Sequence, residues 1–316
     1  RPTLLLPVWT LVLLGHYYGL SQSPLRATVG LSIPSISSRS SIEILLRLSP
    51  QLLGTICLYS MLMGAVYIIN QISDRETDKA NNKLYLVAQG YVKLSLLKLE
   101  AALLIGVAVS GAMVWFHDNW SYLLLISLSI GLGILYSVRP FRLKGKPILD
   151  LLANAIGYGS IAFLIGWGTA SPVNSYALWR TTPYAFCVGA AFVNTTLPDL
   201  KGDSAYGDQT TGVLLGMQRS CQLSLILLVG AILSAWILKD IIALITSLFC
   251  LPFFVYMNFR PQRSVIILAT RIGILVLSLI TCIVIPPYLI LFMGTLLFVR
   301  WYYAARFGIK YPGREA

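Results

Sequence analysis

Apolar runs as long as a bilayer is thick recur along this chain of 316 residues. A helix that crosses a membrane needs about 20 mostly apolar residues, and the sequence contains ten segments of that kind. These predicted spans are 3–20, 44–69, 93–116, 120–137, 147–170, 180–198, 219–238, 240–258, 265–284 and 286–304. The last four are nearly continuous, so nine helices and ten helices both fit the sequence.

The composition supports the same fold class. Hydrophobic residues make up 57% of the chain and charged residues 11%, whereas soluble domains carry about 25% charged residues. A soluble domain and a disordered chain are therefore excluded. With two His and five separate Cys, a metal centre built on those residues is not expected either. We predict an all-α protein, with residues 1–316 forming one polytopic transmembrane helical bundle.

The positions of the basic residues predict how this bundle is oriented. Lys and Arg number 24 against 12 Asp and Glu, and they concentrate after the second, fourth and eighth predicted spans and at the C-terminus. By the positive-inside rule, those connections face the cytoplasm. We interpret the positive charge as orientation and attraction to anionic membrane lipid, not as nucleic-acid binding. The sequence thus predicts a multi-pass protein of a cell membrane.

The acidic residues are clustered as well. Six of the twelve fall within 70–78, after the second predicted span, or within 199–208, after the sixth. Both stretches lie on the predicted cytoplasmic side. Because acidic residues are rare in membrane proteins and usually functional, two clusters on one side predict a common site.

The spacing within the clusters predicts their chemistry. Asn70, Asp74 and Asp78 stand at i, i+4 and i+8, and Asp199 and Asp203 repeat the i, i+4 step, so each set shares one helix face. Like charges at this spacing destabilise a helix, which indicates a counterion. Magnesium binds one or two carboxylates together with phosphate oxygens. Two facing carboxylate pairs would hold a diphosphate between Mg²⁺ ions.

Other charged residues surround these clusters. Glu76 and Asp208 depart from the repeated spacing, so we expect them to be solvated and not to bind the metal. Lys83 follows the first cluster, and Arg142 and Lys144 lie in the connection after the fourth predicted span. Lys and Arg bind phosphate groups by charge-assisted hydrogen bonds. We predict that Lys144, Lys83 and Arg142 hold the diphosphate and stabilise it as it departs.

The two clusters resemble the motifs of the UbiA superfamily of intramembrane prenyltransferases. That family pairs N-x-x-x-D-x-x-x-D after its second helix with D-x-x-x-D after its sixth. Arg1 at the start of the first span and Tyr136 before the basic connection also match. The resemblance implies nine helices around a central cavity, with a cytoplasmic acidic cap that binds Mg²⁺ and prenyl diphosphate. It also implies that Asn70, Arg1 and Tyr136 contribute to substrate binding.

The predicted reaction is Mg²⁺-dependent prenyl transfer from a prenyl diphosphate to a lipophilic or aromatic acceptor. The allylic diphosphate ionises first, since charge on the leaving group is stabilised by the metal and by fixed cations in a water-poor cavity. The metal-binding residues in this prediction are Asp74, Asp78, Asp199 and Asp203. Together with Lys144 they are the predicted catalytic residues.

Tyrosines near the predicted acidic ends could stabilise the allylic cation through their ring faces. The candidates are Tyr67, Tyr136, Tyr158 and Tyr184. Core packing or anchoring at the membrane interface is the favoured explanation for each of them.

Several alternatives remain open at this point. Gln71 stands where many UbiA members have an acid, and residues 83–90 lack an Arg-Pro often found there, so the acceptor subgroup is not defined. A terpene cyclase or a glycerol-phosphate-lipid prenyltransferase of the same family fits the motifs. More distant alternatives are a secondary transporter, whose acids usually lie near the membrane midplane, and a CDP-alcohol phosphotransferase, whose continuous motif is absent here.

Overall fold

A computed structural model of the chain describes residues 2–22, 49–80, 87–205 and 207–308. Within those residues every regular element is helical, and each of the ten predicted spans contains one long helix. The helices are α1 (Leu5–Leu20), α2 (Pro50–Ser73), α3 (Arg75–Ala80), α4 (Leu94–Trp115), α5 (Trp120–Ser137), α6 (Leu149–Gly168), α7 (Ser175–Arg180), α8 (Thr182–Thr196), α9 (Leu200–Ala205), α10 (Thr211–Ile237), α11 (Ile241–Phe259), α12 (Arg263–Val284) and α13 (Pro287–Phe307).

The predicted all-α membrane fold is confirmed. Eight of the described helices are long and apolar enough to cross a membrane, and α1 is a shorter apolar helix. The final apolar segment forms its own helix, α13, as the ten-helix alternative requires. The chain is an integral, multi-pass membrane protein.

Local sequence signals explain where several helices begin. Polar side chains precede them and accept a hydrogen bond from the backbone N–H three residues later, which satisfies a donor that the first turn leaves free. These capping residues are Ser49, Asn119, Asn174, Thr210 and Asp240. In α2, Pro50 occupies the first helical position, where its missing N–H has no effect on the ladder.

Two helix boundaries extend furthest beyond the predicted ones. α2 continues to Ser73, four residues beyond the predicted span, and α10 begins at Thr211, eight residues before it. Hydropathy measures how far an apolar run extends, whereas backbone hydrogen bonding continues into polar residues. α10 also contains a break at Gly216, where φ is 72° and ψ is 174°.

The helices pack in a nearly continuous series. α2 contacts α4 and α5, α5 contacts α6, and α6 contacts α8; α8, α10, α11 and α12 then follow one another. α1 packs against α2, α6 and α12, and its buried residues belong to the larger of two apolar cores. The short helices α3 and α9 pack against each other at one end. The ends of α2 and α8 are therefore brought together.

Glycines allow helix backbones to touch in this bundle. A Cβ atom on Gly15 of α1 would overlap the Phe163 carbonyl of α6, and one on Gly166 would overlap the Val12 carbonyl. Small residues at such crossings are typical of membrane helices, where packing replaces the hydrophobic driving force. The middle of α6, Ala155–Ala162, is a π-helix, a form often found at functional sites.

We predict that Gly166→Ala destabilises the bundle, while Gly106→Ala does not. The added methyl at Gly166 forces α1 away from α6, and overpacking of this kind typically costs about 1–3 kcal/mol. At Gly106, inside α4, no described atom lies within 4 Å of the new methyl, and Ala is the better helix former by about 1 kcal/mol. Thermal unfolding of both variants in detergent tests this; equal unfolding temperatures would contradict the close contact.

Candidate active site

The first acidic motif lies on one helical face, as predicted. The Asp74 N–H donates to the Asn70 carbonyl at 2.9 Å, and the Asp78 N–H donates to the Asp74 carbonyl at 2.8 Å. Helical hydrogen bonding thus continues from α2 through Asp74 into α3. Asp74 and Asp78 are each 8% exposed, whereas Glu76 is exposed to solvent, as its position off the repeat predicts.

The second motif begins in the 3₁₀ turn Leu197–Asp199 and continues in α9, which carries Asp203. Both aspartates are partly buried. Because α9 packs against α3, the two motifs lie together at one end of the bundle, which we call the acidic end. That the two motifs share a metal-diphosphate group stays a prediction.

Residues 139–146, the basic loop, lie at the acidic end. Lys144 forms an ion pair with Asp74. Arg142 binds Asp208 with two hydrogen bonds, from Nε at 2.9 Å and from Nη2 at 2.8 Å, and its Nη2 lies 3.7 Å from Asp74. The charge of Arg142 also acts on Asp203. One guanidinium therefore faces carboxylates from both acidic stretches.

The expectation that Asp208 is solvated was wrong. Asp208 is 8% exposed and holds Arg142 in the bidentate geometry that favours strong Arg–carboxylate pairing. Burial alone would raise the pKa of Asp208, but the Arg142 hydrogen bonds and charge, with Lys144 and Arg139, lower that pKa below its usual value. The pair thus stabilises the fold at neutral pH and is lost only as pH falls through the lowered pKa.

The backbone conformation of the basic loop brings it into contact with Asp208 and Gln209. Arg142 adopts a left-handed conformation with φ 36° and ψ 61°, which is unfavourable for a residue with a Cβ. A Cβ on Gly145 would lie 2.7 Å from Asp208 Oδ1, and the Gly145 carbonyl accepts the Gln209 N–H at 3.1 Å. The loop after α5 and the loop before α10 are therefore joined directly.

Asp150 was missed by the sequence reasoning, although it joins the same two segments. It is completely buried at the start of α6, and Oδ2 accepts the Thr211 N–H at 2.7 Å. Oδ1 accepts the Leu151 N–H at 2.8 Å and the Thr211 hydroxyl. The spacing around Asp150 repeats neither motif, so only its contact with Thr211, 61 residues away, reveals its role.

The remaining predicted substrate-binding residues are placed differently. Asn70 donates to the Ser137 hydroxyl at 3.4 Å, a contact that ties α2 to α5. Tyr136 is partly buried and lies within electrostatic range of Asp74. Arg1 and Lys83 lie outside the described residues.

Two of the candidate tyrosines interact with each other, and a third lies elsewhere. Tyr67 and Tyr158 interact with each other, and the Tyr67 hydroxyl donates to the Leu4 carbonyl at 3.1 Å. Tyr184 was wrongly expected near an acidic motif. It lies at the start of α8, far from Asp199 beyond that helix's other end, and its hydroxyl donates to Asp240 at 3.2 Å.

Protein side chains alone do not assemble a closed metal site here. Among the described residues, no three His, Cys, Asp or Glu side chains form a group that could hold a metal ion. Magnesium commonly takes only one or two carboxylates and completes its shell with water and substrate phosphates. The hard, nearly buried oxygens of Asp74 and Asp78 fit that kind of open site.

The sequence profile of the UbiA prenyltransferase family matches residues 36–266, most of the chain and both acidic motifs. The chain belongs to this family. Membership favours the enzyme interpretation over the transporter and the CDP-alcohol phosphotransferase.

Among curated UbiA-type relatives, the chain is similar to a lycopene elongase/hydratase of Halobacterium salinarum. The two are 30% identical over 175 residues, covering 51% of this chain and 58% of the relative. It is also 31% identical over 186 residues to a homogentisate phytyltransferase of Synechocystis, covering 55% of this chain and 58% of that enzyme. The chain spans about half the length of the curated relatives it matches.

Solved structures share the UbiA fold with this chain. The apo structure of a UbiA homologue from Aeropyrum pernix aligns with a TM-score of 0.67 at 16% identity, covering 91% of this chain and 99% of that one. A UbiA homologue from Archaeoglobus fulgidus, bound to GPP and Mg²⁺, aligns with a TM-score of 0.59 at 18% identity, covering 90% and 100%.

We predict that Asp150→Ala lowers the stability of this UbiA protein by about 1–3 kcal/mol, because the buried Thr211 N–H loses its acceptor. Asp118→Ala is the matched control, since the Asp118 side chain is 91% exposed. Denaturant-induced unfolding in detergent measures both. An Asp150→Ala variant as stable as wild type would show that this carboxylate does not hold α6 to α10.

Proposed function

We propose that this chain transfers a prenyl group from a prenyl diphosphate to a lipophilic acceptor within the membrane, with Mg²⁺ as cofactor. The observation that carries the proposal is the meeting of two acidic motifs around Arg142 and Lys144. Carboxylates suit a divalent cation, and the adjacent cations suit a diphosphate. Carboxylates and cations are both needed to bind the metal and the diphosphate of a prenyl donor next to an apolar bundle.

Asp74, Asp78, Asp199 and Asp203 are the residues that would hold the metal. Their oxygens are hard ligands at the acidic end, and the Archaeoglobus fulgidus homologue of the same fold is bound to GPP and Mg²⁺. When bound, Mg²⁺ supplies Lewis-acid stabilisation of charge on the diphosphate. The four aspartates position that charge at the end of the bundle.

Lys144 and Arg142 are the groups that would stabilise the departing diphosphate. Lys144 neutralises Asp74, so a cation lies where negative charge would develop on the leaving group. Arg142 is held by Asp208 and Ser73, which fixes its guanidinium in place before the reaction. Fixed charges stabilise a transition state without reorganising.

The acceptor and the orientation are part of the proposal. The names of the relatives include one that acts on lycopene and one that acts on homogentisate, so a neutral lipid and an aromatic ring are both represented among the acceptors.

We place the acidic end on the cytoplasmic side of a cell membrane, because the basic loop lies at that end.

The test is Mg²⁺-dependent release of diphosphate from radiolabelled geranyl, farnesyl and geranylgeranyl diphosphates by the purified protein. We expect release to stop when a chelator is added and to resume with Mg²⁺. Product masses then separate the family alternatives: a transferase forms a product only with an acceptor, and a cyclase forms one without. Absence of Mg²⁺-dependent release from all three would refute the proposal.

We predict that Asp74→Ala, Asp78→Ala, Asp199→Ala and Asp203→Ala each reduce turnover at least about a hundredfold, because each removes a metal ligand needed as charge develops on the leaving group. Glu76→Ala is the control, since Glu76 is exposed, and we expect it to retain most activity. Turnover is measured per folded molecule after size-exclusion chromatography. Equal losses for Glu76→Ala and Asp74→Ala would refute the one-face arrangement.

We predict that Lys144→Ala slows ionisation and weakens prenyl-diphosphate binding. The combined effect is a fall in kcat/KM of roughly ten- to a hundredfold, because a charge-assisted hydrogen bond contributes about 1.5–3 kcal/mol. Acceptor binding should change little. Lys146→Ala, in the same loop, is the control for charge alone. If Lys144→Ala has wild-type kcat and KM once correctly folded, Lys144 contributes only to membrane orientation.

A further inference from the structure

A cleft between α1, α8, α10, α11 and α12 is lined almost entirely by apolar surface. Its cavity volume is about 80 Å³, and it is partly open to the outside. Three hydroxyls at its wall, those of Thr10, Thr246 and Thr270, donate to backbone carbonyls one turn earlier, at 2.8–2.9 Å. The cleft therefore presents an apolar wall that part of a lipid-like molecule can contact.

Two polar side chains near this cleft lack partners. Asn194 of α8 is 1% exposed and Ser220 of α10 is completely buried. Among the described residues, neither amide atom of Asn194 nor the Ser220 hydroxyl has a hydrogen-bond partner. Buried polar groups are nearly always bonded. By contrast Ser224, one turn further along α10, donates to the Ala190 carbonyl at 2.9 Å.

The packing of α8 against α10 brings the two unpaired groups together. The helices run antiparallel, because Ser224 contacts Ala190 while a Cβ on Gly230, further along α10, would lie 3.2 Å from Phe186, earlier in α8. In this register, the position one turn before Ser224 faces the position one turn after Ala190. Those positions are occupied by Ser220 and Asn194 respectively.

Helix periodicity places the same pair one to two turns beyond the residues that line the cleft. Cys187 and Ala191 line the cleft, and Asn194 continues their i, i+4, i+7 stripe on one face of α8. On α10, Leu228 lines the cleft and Ser220 stands two turns before it on the same face. The unpaired polar groups are thus at the end of an apolar space.

Towards the acidic end, the pair adjoins the break in α10. Gly216 has non-helical backbone angles, and no described atom lies within 4 Å of its Cβ position. Asp199 of the second motif follows Asn194 by only five residues. The polar pair therefore stands between the cleft and the acidic end.

Resting on the proposed function, we infer that Asn194 and Ser220 bind an uncharged polar group, a hydroxyl or a carbonyl, on an acceptor whose apolar part extends along the cleft. An amide and a hydroxyl each offer both a donor and an acceptor, without charge. They differ in this from Arg142 and Lys144, which suit anions. The site selects a neutral acceptor head over a carboxylate or a phosphate.

The probe for this site is para-octylphenol, with octylbenzene lacking the hydroxyl and para-octylbenzoate carrying a charge. Saturable shifts of the unfolding temperature are measured at fixed detergent concentration, without prenyl diphosphate. We expect wild type to bind the phenol more tightly than either analogue. Asn194→Leu and Ser220→Ala should each weaken phenol binding about tenfold, or 1.4 kcal/mol, and leave octylbenzene binding unchanged.

Ser224→Ala is the matched control, because its hydroxyl is already bonded to the Ala190 carbonyl, and phenol affinity should stay at the wild-type value. A second readout separates binding from structure. Without ligand, Asn194→Leu should unfold at a higher temperature than wild type, since an unpaired amide has been replaced by an apolar side chain of similar size. If the Asn194 amide stabilised the fold instead, Asn194→Leu would unfold at a lower temperature than wild type.

Unchanged phenol affinity in Asn194→Leu, benzoate binding as tight as phenol binding, or a lower unfolding temperature for ligand-free Asn194→Leu would each overturn the inference. If Asn194→Leu does not fold, that result counts against it as well, and Ser220→Ala supplies the affinity measurement. Normal diphosphate release without phenol binding refutes only this inference. Absence of diphosphate release refutes the proposed function independently of the probe.

Discussion

Two nearly buried carboxylates at one end of the bundle, Asp74 and Asp208, depend on two cations for charge compensation. A charge taken out of water is strongly destabilising unless it is paired and hydrogen-bonded. Arg142 meets this requirement for Asp208 and reaches Asp74 as well. Since these carboxylates belong to segments after α2 and before α10, one side chain links the two halves of the acidic end. The acidic motifs and the basic loop are consequently a single electrostatic unit.

Contacts between the membrane-spanning helices position this electrostatic unit. Backbone contact at Gly15 and Gly166 holds α1 against α6, and Asp150 holds the start of α6 to Thr211 at the start of α10. The basic loop lies between α5 and α6, so its position relative to Asp208 follows from that anchor. A closely packed interior transmits such positions because helices in contact cannot shift independently.

Sequence reasoning succeeded where an interaction is local. The i, i+4 spacing of Asp74 and Asp78 correctly predicted a shared face, because helical geometry alone decides it. It failed for Asp208, whose burial depends on Arg142, 66 residues earlier in the chain, and it overlooked Asp150 for the same reason. Tyr184 was misplaced because it was assigned by its span and not by its position at the start of that span, a helix length away from Asp199. Asn194 and Ser220 belong to no sequence motif, so nothing in the sequence was a reason to select them.

The sequence by itself determined the membrane environment, the helical class and the spacing of the two acidic motifs. These follow from the length of apolar runs and from helical periodicity, which are properties of neighbouring residues. Only the tertiary structure decided which cation compensates which carboxylate, and which polar groups lie unpaired beside an apolar cleft. The physical reason is that burial and pairing depend on residues distant in the chain. Their contacts exist only after the helices have packed.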